Sequence, residues 1–185
     1  MARLLPIAKM GEPILRQVAE PFRPEEIGTP AFKALVEGMV AAMRKAPGVG
    51  LAAPQVFVSK RLVVIEHVPS DEDARDAILL AVFVNPKIVW SSPETVTTFE
   101  GCLSVDNLRG PVERSKAVRV SYLDREGNPG EIEAKGLKAV VIQHEFDHLD
   151  GVLFVDRVKD TKLLCHEEQY EKYHAGGKGV GGGGE

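Results

Sequence analysis

Gln143-His144-Glu145-Phe146-Asp147-His148-Leu149-Asp150-Gly151 is the stretch on which the reading of this 185-residue chain turns. Histidines four positions apart lie one turn above the other on one face of an α-helix, so their imidazoles can share a cation. Glu145 stands beside that pair and can act as a base without being a ligand. With 5 histidines in the chain, His-Glu-x-x-His would arise by chance in roughly 1% of shuffled sequences. The pattern therefore points to a metal-dependent hydrolase. The bland alternative is a helix with two hydrogen-bonded core histidines and a surface glutamate. Val141 and Leu149 argue against it, because they turn the helix toward a core where unpaired imidazoles are expensive.

Outward from this stretch, the helical pattern runs from residue 137 to about 150, and Gly151 closes it. Residues 118–123 and 131–134 flank Asp124-Arg125-Glu126-Gly127-Asn128-Pro129-Gly130 and read as a hairpin. Residues 62–65, 78–84, 88–90 and 95–99 read as strands, with 70–76 an acidic loop. Thr29-Pro30 opens an N-terminal helix in which Phe32, Leu35, Val36, Met39, Val40 and Met43 recur at helical spacing, and Pro47-Gly48 ends it. Residues 12–18 and 162–173 are expected as short helices. Residues 176–185 form a Gly-rich tail with no functional element. The expectation is one catalytic domain over residues 1–175 with an α+β fold, mostly antiparallel sheets surrounding the C-terminal metal-binding helix.

Composition bounds the function. Hydrophobic residues make up 44% and charged residues 27%, as in ordinary soluble proteins. A net charge of −4 argues against direct nucleic-acid binding, which needs clustered Lys and Arg. No apolar run approaches the roughly 18 residues that cross a bilayer, so no membrane contact is expected. Met1-Ala2-Arg3-Leu4-Leu5-Pro6 is too short a run for a secretory signal. Together with only two cysteines, Cys102 and Cys165, this leads to the expectation of a cytoplasmic protein, in a bacterial cytosol, with reduced thiols.

Two histidines need a third ligand. Downstream, Glu167, Glu168, Glu171, His166 and His174 are candidates in a polar terminal segment. Upstream, Cys102 follows a strand and could present a thiolate, a good ligand for zinc or iron. Taken alone, Cys102 reads first as an inert buried thiol. The helix by itself leaves the choice open.

Two further segments, Gly48-Val49-Gly50-Leu51-Ala52-Ala53-Pro54-Gln55 and Glu100-Gly101-Cys102-Leu103-Ser104, precede the metal helix. The three together, in this order, resemble the signature motifs of the peptide deformylase family. Met10-Gly11-Glu12-Pro13-Ile14-Leu15-Arg16 and Gly151-Val152-Leu153-Phe154-Val155-Asp156-Arg157 extend the resemblance from about residue 7 to 157. One departure is visible. Many bacterial members carry proline two residues after the motif serine, where this chain has Asp106, and residues 108–114 are also its own. That bears on peptide preference and leaves the reaction untouched.

The resemblance implies hydrolysis of the formyl group from N-formylmethionyl nascent peptides, giving formate and a free amine. It implies Cys102, His144 and His148 as metal ligands, which leaves a fourth tetrahedral position for water, the catalytic arrangement. Glu145 would take the proton from that water, and the Gln55 amide and the Leu103 N–H would meet the charge building on the formyl oxygen. Read alone, Gln55 is a loop-capping side chain. Gly48 and Gly50 would let an extended peptide pair with the backbone. Val49, Gly50, Glu100, Val140 and Val141 are placed on the substrate side. Leu103 would join the valines in a pocket for the methionine side chain, and Glu100 would pair with Arg109. The implied metal is Fe2+, one per chain, with Zn2+, Ni2+ or Co2+ in its place in a purified sample. Contact with the ribosome would be transient. Two rival classes share part of the pattern. A metalloprotease would keep Glu145 and the histidines but not need Cys102, and a metal-stabilised binding module would use four protein ligands and no base.

Overall fold

The computed structural model describes residues 4–67 and 77–175. The expected segment at 12–18 is a short 3-10 turn, Pro13–Arg16. Helix α1 (Pro30–Lys45) starts as its sequence dictates. The Thr29 hydroxyl accepts from the Phe32 N–H at 3.2 Å, and Pro30 occupies the first turn, where its missing N–H is no loss. Its buried face carries Phe32, Val36, Met39, Val40 and Met43.

The run at 48–55, which shows no periodicity, forms strand β1 (Gly50–Ala52) and a 3-10 turn, Ala53–Val56. Strand β2 (Leu62–His67) pairs with β1 on one side and with β3 (Ile78–Ser91) on the other. β3 is one long strand where the sequence suggested two. The chain passes Pro86 by a register shift between Val84 and Lys87, with Asn85 at φ 50°. The Asn85 side chain accepts from Phe22 N at 2.7 Å and donates to Phe22 O at 2.8 Å, which holds the irregularity in place.

Strands β4 (Thr95–Cys102) and β5 (Val105–Ser115) form a hairpin, and β6 (Ala117–Leu123) and β7 (Pro129–Lys135) form the expected second one. Helix α2 (Leu137–Leu149) follows, then α3 (Phe154–Arg157). The single helix expected over 162–173 is instead a turn at Thr161–Leu163, a strand β8 (Cys165–His166) and a helix α4 (Glu167–Tyr173). Backbone pairing of Cys165 and His166 with Arg109 and Leu108 overrides local helical preference there. The expected loop at 70–76 and tail at 176–185 lie outside the described residues.

All strands pair antiparallel, in a five-stranded sheet of order β1-β2-β3-β6-β7 and a three-stranded sheet of order β4-β5-β8. The two-residue period of β2 explains its continuous apolar run. Val63 and Ile65 face α2, with Ala139, Ile142, Phe146 and Leu149. Leu62 and Val64 face α1, with Met39 and Met43. A third core packs Leu15, Val105, Val112, Leu153 and Phe154 under the smaller sheet. The α+β expectation thus holds, with α2 buried between elements. Its C-terminal end is sealed by Gly151 at φ 73°, where an added Cβ would lie 2.8 Å from the backbone of Arg16.

Candidate metal centre

Helix α2 projects His144 and His148 from one face, with ring centroids 5.2 Å apart. Strand β4 ends at Cys102 and brings its Sγ to 3.3 Å from His148 Nε2. One donor atom each from Cys102, His144 and His148 lies within 4.8 Å of the others, and no further cluster of this kind occurs among the described residues. Two imidazole nitrogens and a sulfur form a donor set suited to zinc or iron. None of the downstream alternatives belongs to this cluster; Glu167 pairs with Arg109, and His174 stacks on Phe99 with centroids 5.0 Å apart.

A chain of charges stands behind the histidines. His144 Nδ1 lies 2.8 Å from Glu100 Oε2, which turns Nε2 toward the other donors. Arg114 donates to both oxygens of Glu100, at 2.8 and 2.9 Å, and to Asp147 at 2.6 Å. Arg157 also grips Asp147 through two bonds of 2.6 Å. The expected Glu100–Arg109 pair does not form. Successive residues of a strand face opposite sides, and Arg109 packs against Gly101, its guanidinium 2.6 Å from where a Cβ would sit. Arg109 pairs instead with Glu167 of α4 and lies 6.0 Å from the Tyr170 ring.

Burial pushes the Glu100 carboxyl up, but Arg114 and His144 outweigh it and hold the pKa at about 2. Both partners are nearly sealed, Glu100 at 6% and Arg114 at 4% exposure. Arg114→Met is therefore expected to destabilise the fold by about 3–5 kcal/mol, since it strands a buried carboxylate. Arg114→Lys should recover part of that, and denaturant titration of the two variants is the measurement. A loss below about 1 kcal/mol would mean that the network tolerates an unpaired charge.

The remaining groups separate into roles. Burial pushes His148 well below its ordinary pKa, with charged His144 adding to it, so its ring is neutral. For His144 burial acts downward, but Cys102 and Glu100 outweigh it and push the pKa up to about 10, so a metal must displace a proton there. Burial raises Glu145 to about 7, and its enclosed Oε2 has no hydrogen-bond partner among the described residues. Strand β1 passes directly against this carboxylate. A Cβ on Gly50 would lie 2.6 Å from Glu145 Cγ and Cδ, so only glycine leaves room for the side chain.

Gln55, 1% exposed, has its amide orientation fixed by the backbone. Ala52 N–H donates at 2.8 Å, so the acceptor there must be Oε1. The NH2 then points to Ser104 Oγ at 3.1 Å and Cys102 Sγ at 3.5 Å. Leu103 occupies the turn between β4 and β5, its carbonyl accepting from Lys9 Nζ at 2.8 Å. These groups open onto a cleft of about 830 Å³. It gathers Val49, Gly50, Gln55, Glu100, Cys102, Leu103, Val140, Val141, His144 and Glu145, while His148 lies buried beneath its floor. Both oxygens of Glu100 are taken up by Arg114 and His144. Lys9, Ser104, Arg114, Asp147 and Arg157 were not legible as site residues. Asp147 carried the one usable signal, a carboxylate on a core helix that must find a cation. Nothing in the sequence says which of 23 Lys and Arg supplies it.

The model of the polypeptide deformylase family matches residues 4–163. The chain is 48% identical over 159 residues to peptide deformylase 2 of Xanthomonas campestris pv. campestris, covering 86% of this chain and 89% of that one. It is 42% identical over 162 residues to the chloroplastic peptide deformylase 1A of Solanum lycopersicum, covering 82% of this chain and 58% of the plant protein's length. The Met-Ala-Ser-bound structure of a class I type b peptide deformylase from Acinetobacter baumannii superposes with a TM-score of 0.80 at 42% identity, over 85% of this chain and 100% of that one.

Proposed function

The chain belongs to the peptide deformylase family, and from that premise we propose that it hydrolyses the formyl amide of N-formylmethionyl peptides, releasing formate. It is a metal-dependent hydrolase acting on peptides. The observation that carries this reading is the convergence of Cys102, His144 and His148 beside a buried, unpartnered Glu145 oxygen on the floor of a peptide-sized cleft.

The donor set, the neutral His148 ring and the oriented His144 ring all suit a metal held by these three residues. A divalent metal bound there would supply Lewis acidity that brings the pKa of water down to about 7. Glu145 accepts the water proton and delivers it to the departing amine nitrogen. The Gln55 NH2, aimed by Ala52, and the Leu103 N–H hold the charge that develops on the formyl oxygen. Gly48 and Gly50 offer backbone to an extended peptide, and Val49, Leu103, Val140 and Val141 give the methionine side chain an apolar wall. Glu100 fixes His144 from behind. The test is formate release from formyl-Met-Ala-Ser by the metal-loaded protein, abolished by chelation and restored by metal. A protein that cleaves internal peptide bonds but leaves the formyl group would be a metalloprotease instead.

The physiological metal in this reading is Fe2+, one per chain. Ferrous iron bound to a thiolate is open to oxidation. Peroxide should inactivate the iron form within minutes, while the nickel form keeps its activity. Iron-loaded protein that survives peroxide with its metal in place would contradict the assignment. Residues 1–175 act as one catalytic domain, and 176–185 take no part in chemistry. The substrates are nascent chains in the cytoplasm, met with transient ribosome contact. The net charge of −4 speaks against direct binding to nucleic acid. No helix among the described residues is long and apolar enough to cross a membrane.

A further inference from the structure

We propose that residues 8–10 form a strap that sets the geometry of the oxyanion pocket, with Lys9 as its positioning residue; this rests on the roles given above to Gln55 and Leu103. Two of these three consecutive residues touch the carriers of the two donors, and the third touches the neighbouring Ser104. Ala8 N–H donates to Gln55 O at 2.7 Å, and Met10 N–H donates to Ser104 O at 2.7 Å. Between them, Lys9 Nζ donates to Leu103 O at 2.8 Å and to Asp106 Oδ1 at 2.6 Å.

The strap is rooted independently of the site, because Ala8 and Leu15 are each 1% exposed and belong to the core under the smaller sheet. The turn it holds needs such a tether. The β4–β5 ladder shifts register between Glu100 and Cys102, so regular strand pairing does not fix Leu103. The Lys9 ammonium meets the Leu103 carbonyl, and Asp106, where this chain departs from the family pattern, fixes the ammonium in turn.

The pair is half-exposed, with side chains at 52% and 61%, and exposed pairs add little to global stability. Its location on the wall of the cleft gives it a different task. A hydrogen-bond donor that drifts by a fraction of an ångström from the developing charge loses much of its effect, because reacting groups must be held within tight geometric limits.

The experiment compares Lys9→Met, Lys9→Arg, Asp106→Asn and Gln55→Leu by kcat and KM on formyl-Met-Ala-Ser, with metal content and melting temperature measured alongside. Lys9→Met should lower kcat about tenfold, well short of the 10²–10³ lost with a whole donor. Its KM should stay within twofold and its metal content and melting temperature should be unchanged. Lys9→Arg should restore most of kcat, and Asp106→Asn should fall between. A Lys9→Met kcat within twofold of wild type, beside a large loss in Gln55→Leu, overturns the strap and leaves the oxyanion reading standing. A rise in KM with kcat intact also overturns it, since Lys9 would then merely bind peptide. An undiminished kcat in Gln55→Leu removes the oxyanion reading itself, and the strap with it.

Discussion

Glu145→Gln should keep its metal and lose about 10²–10⁴-fold in kcat on formyl-Met-Ala-Ser, the contribution of a positioned general base. The substitution is nearly isosteric, so it respects the tight contact with Gly50 and leaves the packing of α2 intact. It removes the ability to take a proton. The enclosed Oε2 is the atom best placed to accept one, because no group among the described residues hydrogen-bonds it. Burial, the largest influence on this carboxyl, raises its pKa to about 7. A bound cation pulls the value back toward the ordinary 4.5. Only the ionised form is a base, so kcat/KM of the wild type should fall as pH drops through the interval between those two values. The variant should lack that acidic limb. Glu145→Gln with metal bound and activity within tenfold of wild type would remove Glu145 from the chemistry, and loss of metal would make it a ligand.

Cys102→Ser should weaken metal affinity by more than about 100-fold and abolish turnover after dialysis under reducing conditions. Loss of a partner merely supporting a ligand already weakens binding by about 10–100-fold, and here the ligand itself goes. A serine hydroxyl keeps its proton at neutral pH, so it cannot supply the charge that a thiolate brings to zinc or iron. The sulfur also sits at a crossroads of contacts, 3.3 Å from both His148 Nε2 and Ser104 N. Metal analysis of the dialysed variant decides the matter. Full metal occupancy in Cys102→Ser would point to a ligand elsewhere and revive the protease reading.

These two variants probe parts of the centre with unequal legibility. Glu145, His144 and His148 share one turn of one helix, and the geometry of that turn is local, so their mutual placement could be read from the sequence spacing. The apolar face of α1 and its Thr29 cap were legible for the same reason. Cys102 needed the family resemblance, since local chemistry alone favours an inert thiol there. The kinked unity of β3 was missed because Asn85-Pro86 looks like a break in sequence. It becomes a bulge only when Phe22, far away in the chain, satisfies the asparagine. The terminal helix was mis-bounded because β5 offers Cys165 and His166 an edge to pair with.

What the sequence by itself determined is everything set by spacing within a turn or a strand: two imidazoles on one face with a carboxylate beside them, an α+β pattern, and three ordered motifs. What only the tertiary structure decided is who meets whom across the chain. Glu100 found Arg114 and left Arg109 to Glu167, and Lys9 crossed to Leu103 and Asp106. The physical reason is range. Periodicity fixes directions over a few residues, whereas the partner of a buried charge is chosen by strand register and packing among groups dozens of residues apart, and many arrangements of similar local cost exist until the core selects one.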